Sequence, residues 1–440
     1  MGIRANLERE VKLKADGAFE LPELGGDPFE PRVFVSTYHD TRSHRLAQHG
    51  VTLRHRVENG KGLWQLKLPR GLARLELETP GGPTAVPDEL LALLRAYVRS
   101  DELVPVARLR TRRTGVHTDG AEVVHDSVAV LEDQKVTRSF DELEVELLEG
   151  DEKTLKRIEK ALRKAGAGDA ELRPKVFQAL DLDVEPASRA LPADAPPAEA
   201  LRAQLRVQYE RLLAHDPGTR LGTDPEELHR FRVATRRLRA FVRAGGPLLD
   251  PAWSEPLRDE LRWLGGALGP ARDLDVLIEH LTPQVAELGL DARGGNALLR
   301  ALERERTAAR RSVRRALDGN RYLALLDRLE QPAPSLAETT TLAEIQAGEH
   351  RRLKKEMEAL ADDSPDEALH VARIKVKRAR YAAELRGDRS YVAAAKSLQD
   401  VLGEHQDAAV AAARLRVLAE TVPGAGVAAG RLVEREQARA

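Results

Sequence analysis

Leu7-Glu8-Arg9-Glu10-Val11-Lys12-Leu13 alternates charged and apolar side chains with a period of two. In a β-strand successive side chains point to opposite faces, so Glu8, Glu10 and Lys12 share one face. Leu7, Val11 and Leu13 share the other, with Arg9 the exception. Two carboxylates on one face suit a hard cation such as Mg²⁺, and a neighbouring ammonium suits the phosphate that such a cation carries. The same pattern also describes an amphipathic edge strand with a solvated charged face. The surrounding sequence has to decide between the two.

Working outward, 440 residues are enough for two or three domains, each with its own core. The chain has no cysteine, which excludes disulfides, thiolate metal sites and thiol nucleophiles. No apolar run has the length of a signal peptide or a membrane span, so the expectation is a soluble, cytoplasmic protein. Residues 1–183 carry 29 Lys+Arg and 32 Asp+Glu, and the remainder carries 41 and 39. Neither half has the net positive charge of a general nucleic-acid binder, so any polyanion site must come from local clustering. Lysine is absent from 176 through 353 while arginine abounds, so arginine in place of lysine says little about function there.

The opening pattern recurs through the first half. Arg54 and Arg56 share a face, Gln65 and Lys67 oppose Trp64, Leu66 and Leu68, and Arg74, Glu76 and Glu78 align. Arg108 and Arg110 align with Arg112 in step, and Glu142, Glu144 and Glu146 oppose Leu143, Val145 and Leu147. With further strands near 32–38, 121–130 and 135–139 the count reaches about eight, the number that closes a small barrel. A solvated charged face explains any one strand. Faces made almost wholly of Glu, Arg and Lys, segregated by sign, point instead to a wet lumen holding a charged ligand, since burying such charges dry costs several kcal/mol per ion. His39, His44, His49 and His55 have no clean ligand spacing and read as surface histidines. The run from Gly115 to Gly120 reads as a hairpin turn.

The ordered series Glu8-x-Glu10-x-Lys12, Tyr38-His39-Asp40-Thr41, Leu53-Arg54-x-Arg56, Trp64-x-x-Lys67, Glu76-x-Glu78, Arg108-x-Arg110 and Glu142-x-Glu144-x-Glu146 resembles the CYTH family, the triphosphate tunnel metalloenzymes. The resemblance covers roughly residues 3–180 and includes Lys175. It matches Asp126, between Val124 and Val128, to an acidic position near the tunnel, though Asp126 could equally end a strand. It implies an eight-stranded antiparallel tunnel with flanking helices that binds a triphosphate with Mg²⁺ or Mn²⁺. By position it implies Glu8, Glu10, Glu144 and Glu146 as metal carboxylates. It implies Lys12, Arg54, Arg56, Lys67, Arg108, Arg110 and Lys175 as phosphate ligands, with Glu76 and Glu78 in support. Glu8, Glu10 and Lys12 carry the catalytic expectation.

A Pro/Ala-rich linker at 184–199 follows a first domain of 1–183, and after it the period becomes helical. There His229-x-x-Arg232-x-x-x-Arg236-Arg237-x-Arg239 repeats as His370-x-x-Arg373-x-x-x-Lys377-Arg378-x-Arg380, and Leu268-Gly269-x-x-Arg272-Asp273 repeats as Leu402-Gly403-x-x-Gln406-Asp407. Two related helical halves follow, about 200–330 and 341–436. His229, Arg232, Arg236 and Arg239 fall on one side of a helix, as do their counterparts. Repeating like charges at that spacing in both copies points to a facing polyanion. Solvated faces neutralised from elsewhere, by Asp273 and Asp407 for example, are the alternative. The pattern resembles the CHAD domain over roughly 195–435. That resemblance implies inorganic polyphosphate held by the basic residues, Arg237 and Arg378 included. Asp275, opposite Ala409 in the second copy, departs from the repeat, and the stretch from Arg300 to Arg315 is arginine-rich with interspersed acids.

The expected fold class is thus α+β multidomain, a β tunnel followed by an all-α bundle of two related halves. The expected activity is metal-dependent hydrolysis of inorganic triphosphate, with polyphosphate bound by the bundle and association with polyphosphate granules. An adenylate cyclase, a thiamine-triphosphatase-like tunnel enzyme and a non-catalytic polyphosphate-binding protein remain open at this point. No membrane or nucleic-acid partner is expected.

Overall fold

The opening stretch forms two strands, not one. In the computed structural model, which describes residues 2–16, 19–71, 73–171, 173–183, 195–334, 340–361 and 364–439, β1 is Arg4–Glu8 and β2 is Glu10–Ala15. Seven further strands complete an antiparallel sheet, namely β3 (Asp27–Asp40), β4 (Thr52–Glu58), β5 (Lys61–Arg70), β6 (Ala73–Pro80), β7 (Val104–Thr118), β8 (Ala121–Glu132) and β9 (Lys135–Leu147), with helix α1 (Arg45–Gln48) between β3 and β4 and helix α2 (Asp88–Val98) between β6 and β7. The strand order is β1-β6-β5-β4-β3-β7-β8-β9-β2, so the two edges of the sheet are consecutive in the chain. Arg9 alone separates them, and its carbonyl accepts a hydrogen bond from Leu147 N (2.9 Å). The sheet therefore curls until one chain segment serves both edges, which removes the open edges that otherwise recruit other chains. Dividing the first strand is why nine strands stand where about eight were expected.

The apolar faces point outward under helices, as a charged lumen requires. Leu13, Val123, Leu143 and Val145 pack against Leu155, Ile158 and Leu162 of α3 (Glu152–Lys164). Each fully buried leucine contributes about 1.5–3 kcal/mol. One part of the lumen is apolar as well. There Leu109, Val128 and Val130 meet Val176 and Phe177 of the short helix α4 (Lys175–Leu180), which carries Lys175 inward at its first residue.

The motif residues of the first turns are structural. Asp40 accepts hydrogen bonds from the backbone N–H groups of Thr41, Leu46 and Ala47, holding the entry to a one-turn helix at Arg45–Gln48. His55, expected at the surface, is buried against Trp64, with ring centroids 5.0 Å apart, and its Nε2 donates to the Gly81 carbonyl (2.9 Å). The hairpin turn lies at Asp119-Gly120, both at positive φ. Gly115 belongs to β7, where a Cβ would meet the Val123 carbonyl oxygen at 2.3 Å.

Contacts divide the chain into units Met1–Pro186 and Ala187–Ala440. Most of the expected linker, 184–194, lies outside the described residues, and helix α5 (Pro197–Leu221) already begins within the span expected to be linker. Within the second unit, α5, α6 (Pro225–Ala244), α7 (Pro251–Ala286), α8 (Ala292–Asp318) and α9 (Asn320–Glu330) form one half. The other half comprises α10 (Leu342–Glu358), α11 (Asp366–Arg386), α12 (Arg389–Thr421) and α13 (Gly426–Arg439). Phe241 of α6 meets Tyr381 of α11 edge to face, with centroids 6.1 Å apart, joining the two halves through the repeated helices. Among the described residues no helix is long and apolar enough to cross a membrane.

Candidate phosphate-binding sites

Alternation along β1, β2, β4, β5, β6 and β9 sends the charged rows inward. They line a cavity of about 190 Å³ whose walls include Glu8, Lys12, Arg54, Arg56, Lys67, Glu76, Glu78, Glu144, Glu146 and Lys175. Arg74, Arg113 and Glu122 line it too, while Tyr38 and Pro174 supply its few apolar atoms. Buried charges require partners, and a dense ion-pair network provides them. Lys12 Nζ lies 2.5 Å from Glu144, 3.3 Å from Glu142 and 3.5 Å from Glu10. Lys175 Nζ lies 2.7 Å from Glu144, 2.8 Å from Glu142 and 3.0 Å from Asp126. Arg113 grips Asp126 with two parallel hydrogen bonds (2.8 and 2.7 Å) and Glu144 with a third (2.7 Å). Lys67 Nζ donates to both oxygens of Glu8 (2.7 and 2.6 Å). Arg54 donates to Gln65 (2.8 Å) and to the Tyr38 hydroxyl (3.2 Å), while the Gln65 amide donates to Glu76 and Glu78.

The network is not uniform. Burial opposes charge on Glu144, yet Lys12, Lys175 and Arg113 outweigh it and hold this carboxyl well below the ordinary range. Burial likewise opposes the Lys12 ammonium, but Glu10, Glu142 and Glu144 keep it firmly protonated. Glu146 has no such compensation. Burial, then the charge of Glu8 with Glu76 and Glu122 adding, pushes its carboxyl up to about 7 against the pull of Lys67. Among the cations burial, then Arg54 with Arg113, pushes Arg56 down to about 10 despite Glu58. Arg56 also stacks over Phe34, 3.8 Å from the ring centroid. Among these groups negative charge is thus least supported at Glu146 and positive charge at Arg56, even with the ion pair of Arg56 to Glu58.

In the helical unit the repeated basic rows lie on α6 and α11. Each copy has one neutralising contact to the following helix, Arg232 to Asp273 at 3.0 Å and Arg373 to Asp407 at 3.9 Å. Among the described residues Arg236, Arg239, Lys377 and Arg378 make no ion pair. Burial, then Arg373 and Arg236, pushes Lys377 down to about 8 against Asp407, so cations of both copies act on one ammonium. The glycines of the repeated Leu-Gly pairs lie beside these guanidinium groups. A Cβ on Gly403 would stand 3.5 Å from Arg373 Nη2, and one on Gly269 would stand 4.0 Å from Arg232 Nη2. Both are ordinary contact distances, so a methyl group fits at either position and only a larger side chain would press on the guanidinium.

A CYTH domain model matches residues 6–171, and a CHAD domain model matches residues 203–416. Uncharacterized proteins from two strains of Mycobacterium tuberculosis are each 32% identical over 418 residues, covering 85% of this chain and 80% of their own length. The chain belongs to the CYTH and CHAD families. The CHAD domain from the plant Ricinus communis is similar at 31% identity, covering 57% of this chain and 89% of its own, with a TM-score of 0.49. PptA from Streptomyces chartreusis is similar at 26% identity, covering 56% of this chain and 95% of its own, with a TM-score of 0.48.

In the CYTH unit, Arg108 and Arg110 do not reach the cavity. Both are exposed, as is Arg112. Leu109 and Thr111 of β7 are buried in the opposite phase, Leu109 against α4, and that phase carries Arg113 inward instead. Strand alternation makes the two phases exclusive. A pair of arginines in sequence outweighed the apolar signal of the residue between them. Asp126 and Glu142 are fully buried partners of the lumen cations. Glu144, expected to hold metal, has both oxygens taken by Lys12, Lys175 and Arg113. Among the described residues no three carboxylate or imidazole groups converge closely enough to hold an ion as they stand. The donor chemistry at Glu8, Glu10 and Glu146 nevertheless fits a hard divalent cation, because all are carboxylates and Glu146 lacks compensating positive charge.

In the CHAD unit, Arg236 and Arg239 of α6 and His370 of α11 are exposed, whereas Arg380 is buried, stacked over Tyr381 and 3.5 Å from Glu384. Arg237 lies 3.6 Å from the same carboxylate. Arg380 is thus a packing residue, not part of the exposed row. His370 Nδ1 is 3.2 Å from Gln406 Oε1. His229 is held below its usual value by burial and then by Arg272, which disfavours a charged imidazole there.

Proposed function

We propose that the CYTH unit hydrolyses inorganic triphosphate with Mg²⁺ or Mn²⁺ and that the CHAD unit binds inorganic polyphosphate. The charge pattern of the lumen carries this reading. A metal-bound triphosphate is itself a dipole, with the cation at one end of a chain of anionic oxygens, and it complements Glu146 and Arg56 at once. Glu8, Glu10 and Glu146 would hold the metal. Arg54, Arg56, Arg113, Lys12 and Lys67 would take the phosphate oxygens. One such cation about 4 Å from a phosphate charge contributes on the order of 4 kcal/mol at an effective dielectric near 20.

The choice of inorganic substrate rests on the walls. Beyond Tyr38 and Pro174 they are charged or polar, so a nucleobase or thiazolium ring has little apolar surface to lie on. Binding exchanges partners within the network. A phosphate that takes the Lys67 ammonium would free both Glu8 oxygens, and Glu8 with Glu10 and Glu146 would then be the carboxylates available to hold the cation. The bound metal supplies a Lewis acid that neutralises developing charge and lowers the pKa of water. The side chains align the terminal phosphorus for in-line attack and hold the leaving diphosphate through Lys12 and Arg113. Lys175, fixed by three carboxylates, keeps Glu144 and Asp126 ionised behind the reacting chain.

Phosphate release from triphosphate, pyrophosphate, ATP, thiamine triphosphate and long polyphosphate, each with Mg²⁺ and with Mn²⁺, tests the reading. A cyclic-AMP measurement accompanies the ATP sample. Triphosphate is expected to be the best substrate and Glu10→Ala to abolish its turnover with the fold intact. Unchanged turnover in Glu10→Ala would remove the metal assignment, and cyclic AMP formation would replace hydrolysis with cyclisation.

A further inference from the structure

A cavity of about 320 Å³ in the CHAD unit is away from the repeated basic rows. It lies where the end of α5 and the start of α6 meet α8. Asp273 and Asp275 of α7 show the separation. Two residues apart on one helix, they point about 200° apart around its axis. Asp273 pairs with Arg232 of the α6 row, whereas Asp275 is buried and accepts from Arg310 of α8 (3.0 Å) with Arg306 at 3.9 Å. The Asp275 departure noted in the sequence therefore belongs to this second place. Ala409 offers no carboxylate at the equivalent position.

Three features give the cavity a ligand chemistry. From Arg306 to Leu317 the helix α8 has no acid, and Arg306, Arg310 and Arg314 stack on one face at intervals of four, a spacing at which like charges repel by a few tenths of a kcal/mol per pair. Arg306 and Arg310 share one carboxylate, and Arg310 also donates to the Gly222 carbonyl (2.7 Å), which fixes its fork. Among the described residues Arg311 and Arg314, which line the same cavity, make no ion pair. Asp224 also lines the cavity, with its Oδ1 accepting from the Glu226 N–H (2.8 Å), so the four guanidinium groups exceed the two carboxylates Asp224 and Asp275 by two charges, which matches a phosphate monoester. Leu228 and Val313 are buried in the wall, an apolar surface that a bare phosphate chain would not use. The volume lies near the lower end of ordinary small-molecule sites, about 300–1,000 Å³.

We propose that this cavity is a second anion site of the CHAD unit, taking a small phosphate monoester with a compact apolar or planar body, such as a nucleoside monophosphate. The guanidinium forks of Arg311 and Arg314 take the phosphate oxygens, with Arg306 and Arg310 held in place by Asp275 beneath them. A guanidinium plane also stacks on a base, which the lysines used elsewhere for phosphate do not do.

Calorimetric titration of the full-length protein with AMP, and separately with inorganic phosphate at matched ionic strength, tests this. Losing two charge-assisted contacts in Arg311→Ala/Arg314→Ala is expected to weaken AMP binding by about tenfold or more. Because neither side chain holds an ion pair, the melting temperature of that variant should stay at the parent value. Arg232→Ala/Arg373→Ala should bind AMP as the parent does. The proposal falls if the parent gives no AMP binding at millimolar concentration. It also falls if the α8 double variant binds AMP unchanged, which would put AMP elsewhere, or if inorganic phosphate binds as well as AMP, which would leave the apolar wall without a role.

Discussion

Arg110 and Arg113 are three residues apart on β7, one exposed and the other bonded inside the lumen to Asp126 and Glu144. Replacing Arg113 with Lys keeps the charge but loses the bidentate fork, and triphosphate turnover should fall by on the order of tenfold to a hundredfold. Arg110→Ala should stay within about twofold of the parent, in keeping with the small effect of exposed charges. Equal losses in the two variants, measured as phosphate release, would mean that the inward phase of β7 is not the one that meets substrate. Lys377 gives a pH signature. Its free value of about 8 lies below the ordinary lysine value, and a bound polyanion raises it again. On the proposed reading, polyphosphate affinity should therefore be flat below pH 8 and decline as pH climbs past it, with proton uptake on binding there. Titrations in two buffers of different ionisation enthalpy read that uptake, and Lys377→Arg should flatten the profile.

At the scale of elements, α4 sets where one cation stands, and the glycine of each repeated Leu-Gly pair lies beside another. Phe177 packs α4 against Leu109 and Val128, and its neighbour Lys175 is bonded to Asp126, Glu142 and Glu144. Phe177→Ala should destabilise the CYTH unit by about 3–5 kcal/mol, read in its melting transition, and lower turnover as Lys175 loses its fixed position. In the CHAD unit, Gly403→Ala adds only an ordinary contact beside Arg373, whereas Gly403→Leu must displace the guanidinium. Polyphosphate affinity should be near normal in the first and clearly reduced in the second, with triphosphate turnover equal in both. If leucine there has no effect on affinity, Arg373 is not a contact. The glycine repeat was visible as a pattern. Its neighbour was not, because the guanidinium beside each glycine lies on another helix.

For the whole molecule, two units with separate cores and separate anion chemistry predict separable losses. Arg232→Ala/Arg373→Ala should lose polyphosphate binding while triphosphate turnover holds, and Glu10→Ala should do the reverse. The alternation of Glu8, Glu10 and Lys12, the ordered acidic and basic rows, the helical repeat and its paired basic faces were all legible from spacing alone. Period and charge are local properties that the backbone converts directly into faces. Three matters required the folded chain. The break at Arg9 depends on both sheet edges meeting there, the inward turn of Arg113 depends on α4 filling the lumen against Leu109, and the neutralisation of Glu144 depends on cations from β2, β7 and α4. Sequence spacing determines which side chains share a face. Which face is inside, and which charges are left without a partner, is decided by elements that come from distant parts of the chain and compete for the same space.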